Sequence, residues 1–497
     1  MNNDLNYNQY KSYLQKIADI KYASAVLQWD QETYLPKKGN DGRGRQIATL
    51  NELAHEQFTD SKLGDLMNEL LLSGKLGDHE KRNVTLSLED YNKSKKLPSK
   101  FVRRMSETVN KSFHAWVQAR RENKYGIFEG PLQEIIELKK QEADFLGYEN
   151  HPYNALMNDY DKGLTTTIVD KLFSDLQPQL SKILNQITEQ PQSDDSFLYQ
   201  HFNKTTQWDT GIEILKRMHF DFDAGRQDIS EHPFTTNFSS KDVRVTTRVA
   251  ENDFGNMLWS CIHEGGHALY EQGLPDNEYG MPLGEYCSLS IHESQSRLWE
   301  NCIGRGKAFW QYNYKLLQEN FPVQFKNIII DEFYNAINKV QPSLIRTEAD
   351  EVTYHFHIMI RYEIEKLLID GSITAKDIPS YWNEQYKKYL GITVPNDLQG
   401  CLQDVHWSHG SFGYFATYSI GSLYAAQFYS TIKNLYPNID EEVSLGKTLK
   451  IWNWLKKNIY SYGRYYSSED LCKHATGESL RSNYFIDYLQ NKYLHDA

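Results

Sequence analysis

The chain has 497 residues, 40% hydrophobic and 24% charged with only 14 prolines, a composition that excludes a disordered or collagenous protein and allows a large core without covalent staples. Acidic residues outnumber basic ones by 66 to 54, a formal net charge of −12, so the basic excess that nucleic acid or an anionic membrane would require is missing. No apolar run approaches the ~18 residues that span a bilayer, and five scattered cysteines point away from a disulfide framework or thiolate zinc site and towards a reducing, cytoplasmic compartment.

The first residues, Met1 to Tyr7, have neither the basic start nor the apolar core of a signal peptide. From Leu5 to Gln28 the residues Leu5, Tyr10, Tyr13, Leu14, Ile17, Ile20, Tyr22, Ala25 and Val26 recur at spacings of three and four, the stripe of an amphipathic helix. The stretches 44–72, 79–94, 99–124, 130–146 and 166–192 follow the same period. The run Lys93-Ser94-Lys95-Lys96 reads as a solvated loop before Pro98. No short repeat is present, which disfavours a solenoid.

Phe234 to Val249 breaks the helical pattern. Thr235 to Phe238 and Val243 to Val249 are rich in β-branched residues with rough alternation, and Ser239 to Asp242 suits a turn, so a small antiparallel hairpin is expected. Helix resumes at Asn252 or Asp253, either of which can cap it. No Pro/Gly/Ser linker divides the chain, so residues 1–497 are expected to form one continuous, mainly α body, or two lobes about a groove.

The strongest signal is His263-Glu264-Gly265-Gly266-His267. Residues four apart share a helix face, so both imidazoles can reach one cation, and Glu264 can reach its water without becoming a ligand. Gly265 and Gly266 each cost such a helix about 1 kcal/mol against alanine, which close approach of another backbone or of substrate would explain. A further protein ligand is needed. Glu293 lies 26 residues beyond His267, on a second predicted helix after the loop Gly273 to Asp276. His292 competes with it, and spacing does not choose between them. His355 and His357, two apart on a predicted helix, point to different faces and make poor co-ligands. Cys261 has no His/Asp partner pattern and reads as a small core residue.

The chain resembles the carboxypeptidase Taq family of thermostable zinc metallocarboxypeptidases. The likeness is carried by His232-Pro233-Phe234, Asp242-Val243-Arg244-Val245-Thr246, the His263–His267 pentad, His292-Glu293-Ser294-Gln295, Ile345-Arg346-Thr347-Glu348-Ala349-Asp350 and Gly400-Cys401-Leu402-Gln403-Asp404-Val405-His406-Trp407, in that order. Trp29-Asp30-Gln31-Glu32-Thr33 and Ala475-Thr476-Gly477-Glu478 extend it towards both ends. The pentad departs mildly, with glycine where members often carry a larger residue. The resemblance implies a mainly helical fold with a deep groove and a small antiparallel sheet beside the metal helix. It also implies a homodimer and removal of single residues from free peptide C-termini with broad preference. It maps His263, His267 and Glu293 onto the metal ligands and Glu264 onto the catalytic glutamate, with zinc as the ion and cobalt as the alternative.

Amide hydrolysis further needs donors for the tetrahedral oxyanion, each worth ~3 kcal/mol. His406, His409, Tyr414 and Tyr418 are the candidates, and the sequence does not choose among them. An exopeptidase must also hold a carboxylate, which the fork of a guanidinium pairs well. Arg346 comes first, beside the acids Glu348, Asp350 and Glu351 that could orient it. Arg244 at the hairpin is second, and His232 is added through its motif. The rival readings are a related helical zinc endopeptidase or oligopeptidase, and a non-catalytic peptide-binding protein with a relict metal site.

Overall fold

The computed structural model describes residues 2–494, with side chains from residue 6 onward; Met1, residues 495–497 and the Leu5 side chain of the expected stripe lie outside the described part. Helices provide nearly all the regular structure, as expected. The chain divides into two compact units, one of residues 2–94, 193–337 and 424–480, the other of residues 95–192, 338–423 and 481–494.

In the first unit the opening helix, Asn2–Thr33, buries Tyr10, Leu14, Ile17 and Trp29 along one drifting stripe. The first three pack with Leu63, Met67, Leu70, Val84 and Tyr91, and the Tyr10 hydroxyl meets Ser87 Oγ at 2.8 Å. The stretch expected as one helix over 44–72 is two, Asn40–Phe58 and Ser61–Leu72. Asp60 makes the break, its carboxylate accepting the Lys62 amide at 2.9 Å and capping the second helix. The lysine run at 93–96 is not a loop but the end of the helix Asp78–Lys96, where cations suit the unpaired carbonyls.

The sheet extends the expected hairpin by one strand. β1 (Gly225–Ile229), β2 (Thr235–Ser239) and β3 (Asp242–Thr247) lie in the order β1-β3-β2. β2 and β3 are antiparallel, as read from the sequence, but β1 joins β3 in parallel, so the sheet is mixed. Gly225-Arg226-Gln227-Asp228-Ile229 has little strand propensity. Its pairing comes from tertiary contacts: Asp228 is buried, takes Arg226 at 2.6 Å and accepts from the Tyr34 hydroxyl at 2.5 Å. Alternation along β2 turns Thr235 and Asn237 towards Glu264 and Glu271, while Phe238 faces Arg244.

In the second unit the helices Ser99–Glu122 and Gly126–Leu146 pack together. The helix Tyr354–Asp370 is buried almost throughout. Its polar side chains are each engaged: His355 Nδ1 with Ser419 Oγ at 3.0 Å, and His357 Nδ1 with the Tyr386 hydroxyl at 2.8 Å. The two histidines thus have separate partners, as their spacing implied.

Candidate functional site

The pentad lies on the helix Phe254–Gly273, which Asp253 caps by accepting the Asn256 amide at 3.2 Å. Glu293 comes from Leu289–Arg297, capped by Ser288. One donor atom each from His263, His267 and Glu293 fall within 4.8 Å of one another. Glu293 Oε2 is 3.7 Å from His263 Nε2 and 3.4 Å from His267 Nε2. Tetrahedral binding at 2.0–2.1 Å sets donors about 3.3 Å apart, so this nitrogen, nitrogen and oxygen set fits one small divalent cation.

Each donor is held from behind. Glu300 accepts from His263 Nδ1 at 2.8 Å and is itself paired with Arg297 and Arg305, both at 3.3 Å. Arg297 Nε also donates to Glu293 Oε1 at 2.7 Å. Burial by itself would raise the Glu293 carboxyl, but Arg297 and the imidazoles outweigh it and hold it well below the usual carboxylate range. Glu300 sits in a π-helical stretch, Leu298–Gly304, a form that occurs mostly as short bulges at functional sites. His292, the competing ligand, points elsewhere: its Nδ1 meets His267 Nδ1 at 2.5 Å and its Nε2 meets Glu271 Oε1 at 2.7 Å.

Glu264 is buried beside the trio and is not one of its donors. Thr235 donates to its Oε2 at 2.7 Å and to its carbonyl at 3.0 Å. Burial raises its carboxyl above the ordinary value, against His263 and the Thr235 hydrogen bond, which suits a proton acceptor.

The two central glycines have a packing reason. A Cβ on Gly266 would lie 2.7 Å from both Gln295 O and Ser296 Cα, so the backbone of the Glu293 helix passes directly over this position. One on Gly265 would meet the Leu215 and Met218 side chains. Gly266→Ala is expected to destabilise the fold by about 1–3 kcal/mol, read as a lower urea midpoint. Gly42→Ala, where nothing lies within 4 Å, should not lower it. An unchanged midpoint in Gly266→Ala would refute the close-approach account.

In the second unit Arg346 is buried but is not oriented by its sequence neighbours. Asp350 caps the 352–353 turn and Glu351 pairs with Lys492, while Asp404 holds the guanidinium through Nε and Nη2, each at 2.8 Å. Asp404 Oδ2 also accepts from Arg361 Nε at 2.6 Å. Burial would lower the Arg346 pKa, but Asp404 keeps it well above the ordinary value. Arg346 Nη1 donates to the Tyr354 hydroxyl at 3.2 Å, so a guanidinium with five N–H groups retains donors for a further anion.

His406 Nε2 meets the Tyr418 hydroxyl at 3.2 Å, and its ring lies 5.3 Å from that of Tyr414. The Arg346 guanidinium is 5.1 Å from the Tyr418 ring centroid. Burial lowers the His406 pKa to about 3, leaving a neutral imidazole at neutral pH. His409 is exposed, its ring tilted against that of Phe113 at 5.1 Å. Glu365, fully buried, accepts from Trp407 Nε1 and the Gly413 amide, both at 2.8 Å, and from Tyr153 at 2.5 Å, pinning the 406–413 segment.

In the first unit Arg244 pairs with its neighbour Asp242. Asp242 takes its fork at 3.0 Å through both Nε and Nη2, and it lies between the rings of Trp29 and Phe238 at 4.2 and 4.8 Å. The His232 side chain is exposed, and its carbonyl accepts from Ser230 Oγ at 2.5 Å. Sequence reasoning missed Glu300, Arg297, Asp404 and Arg361. Only Arg297 and Asp404 had a local signal, the four-residue step from Glu293 and the Gln-Asp-Val-His run.

A profile of the family described as Carboxypeptidase Taq (M32) metallopeptidase matches residues 9–493. The chain is 38% identical over 487 residues to Carboxypeptidase 1 of Bacillus subtilis (strain 168), covering 98% of this chain and 97% of that one. A solved structure described as "The Structure of CHT" is 55% identical, with TM-score 0.96 over 98% of this chain and 99% of its own. The crystal structure of an M32 carboxypeptidase from Deinococcus radiodurans R1 is 35% identical, with TM-score 0.96 and the same coverage of both chains.

Proposed function

The chain belongs to the carboxypeptidase Taq (M32) metallopeptidase family and is a metallocarboxypeptidase, and from that premise we propose that it removes single residues of broad type from free peptide C-termini, with one zinc ion held by His263, His267 and Glu293. The observation that carries this reading is the convergence of two imidazoles and a carboxylate from two helices within 4.8 Å, with the buried Glu264 next to them in sequence. The two-nitrogen, one-oxygen donor set supports zinc over magnesium or calcium, which prefer all-oxygen sites.

When bound, the cation polarises the scissile carbonyl and brings the pKa of the attacking water to about 7. Glu264, with Oε2 steadied by Thr235, takes the proton of that water and delivers it to the departing amine nitrogen. Arg346, held by Asp404, pairs with the terminal carboxylate of the substrate. His406, Tyr418 and Tyr414 supply donors to the oxyanion. His409, whose ring is tilted against that of Phe113, and Arg244, paired with Asp242, are left out of this assignment. β2 is an edge strand, and its backbone can add an extended peptide, with the exposed His232 in the loop that leads into it. Five free thiols suit a reducing compartment. Among the described residues no helix is long and apolar enough to cross a membrane. Sedimentation of the whole chain tests the homodimer that the family resemblance implies.

Mass spectrometry of a peptide ladder tests the reading. Free-acid peptides should shorten one residue at a time, stop shortening with a chelator and resume on zinc addition, while amidated peptides stay intact. Internal cleavage of the amidated peptides would make the protein an endopeptidase instead. Arg346→Ala should lower kcat/KM on free-acid peptides by about 10²-fold, the worth of a charged hydrogen bond. Parental kcat/KM in that variant would place carboxylate recognition elsewhere.

A further inference from the structure

We propose that His292 and Glu271 are positioning residues that fix the tautomer and orientation of His267, and thereby set how tightly the site holds its cation. The inference rests on the reading of His263, His267 and Glu293 as the cation's donors.

The two histidines of the pentad are supported differently. His263 has a carboxylate directly at Nδ1, from Glu300 at 2.8 Å. His267 has an imidazole there, His292 Nδ1 at 2.5 Å, and the carboxylate lies one residue further out, Glu271 Oε1 at 2.7 Å from His292 Nε2. Glu271 Oε2 in turn accepts from Asn237 Nδ2 of β2 at 2.6 Å. His263, His267 and Glu271 follow one another at intervals of four on a single helix, and His292 adjoins Glu293 on the next. Two helices therefore carry both the donors and this support.

With His267 Nε2 serving as a cation donor, the three groups admit one arrangement of protons. His267 Nε2 faces Glu293 and offers a lone pair only if the ring proton is on Nδ1. His292 Nδ1 must then accept, which puts the His292 proton on Nε2, opposite a carboxylate that accepts it. The ring of His292 is held in this pose between Tyr270 and Tyr286, at 5.4 and 4.8 Å between centroids. An anionic partner beyond a ligating imidazole orients the ring and raises its basicity; here Glu271 does so through His292.

The test is the zinc dissociation constant of the full chain, measured by competition with a chromophoric chelator, together with thermal melting of the metal-free forms. His292→Phe keeps ring volume between the tyrosines and removes both nitrogens, and should weaken zinc binding by about 10–100-fold without a matching loss of metal-free stability. In Glu271→Gln the amide oxygen still accepts from His292 and the Asn237 amide can turn to suit, so only charge is lost and a smaller weakening is expected. Parental affinity in either folded variant overturns the part assigned to that residue, and if His292→Phe does not fold, Glu271→Gln alone decides. Glu293→Gln separates the two levels: if it too binds zinc like the parent, the donor assignment fails instead.

Discussion

Glu264→Gln is expected to retain its metal and lose about 10²–10⁴-fold in kcat, the range that a positioned proton-transfer group contributes. The exchange is nearly isosteric. The amide oxygen still accepts from Thr235, which binds the native carboxylate at 2.7 Å, so the fit of β2 against the pentad helix survives. None of the donor atoms of the trio belongs to residue 264, so metal content should stay at the parental ratio. What disappears is the basic oxygen, because an amide does not take up the proton of the attacking water near neutral pH. Hydrolysis of a free-acid peptide, measured alongside metal analysis of the same preparation, decides the matter. A metal-loaded variant within tenfold of the parent would remove Glu264 from its proposed role.

The second large effect is expected at Asp404. Its carboxylate serves two buried guanidiniums, Arg346 through Oδ1 and Arg361 through Oδ2. The three side chains are at most 8% exposed. Arg361 also lies 4.4 Å from the Trp382 ring centroid and Arg346 5.1 Å from that of Tyr418, so cation–π attraction helps to hold an excess positive charge. Burial would raise the Asp404 carboxyl, but the two arginines hold it far below the usual range. A depressed carboxyl contributes stability that is complete above its unfolded pKa and lost only as pH falls through the folded one. The cluster should therefore persist through mild acid. Asp404→Ala strands both cations and should cost about 3–5 kcal/mol in urea unfolding. It should also lower kcat/KM on free-acid peptides, because the Arg346 fork loses its anchor. A variant as stable as the parent would mean that the guanidiniums find other counter-charges.

The helical architecture was legible because it is a property of local spacing. Tyr10, Leu14 and Ile17 repeat at the helical period and are buried together, and β-branched alternation marked β2 and β3 within a residue or two. The third strand was not legible. Arg226, Gln227 and Asp228 carry no strand preference of their own and pair only because β3 and Tyr34 receive them. A long periodic stretch also hid the cap at Asp60, whose effect depends on one hydrogen bond.

At the candidate site the same division holds. The four-residue step of the pentad placed His263 and His267 on one face from sequence alone, and the type and order of the motifs pointed to Glu293 and Glu264. Tertiary structure alone turned Glu293 towards the imidazoles and His292 away from the donor position, brought Glu300 behind His263 through a π-helical stretch, and gave Arg346 the distant Asp404 in place of its neighbouring acids. Periodicity along a helix is written within a few residues, whereas the partner of a buried charge is chosen by which segments, tens of residues apart, come to lie against it.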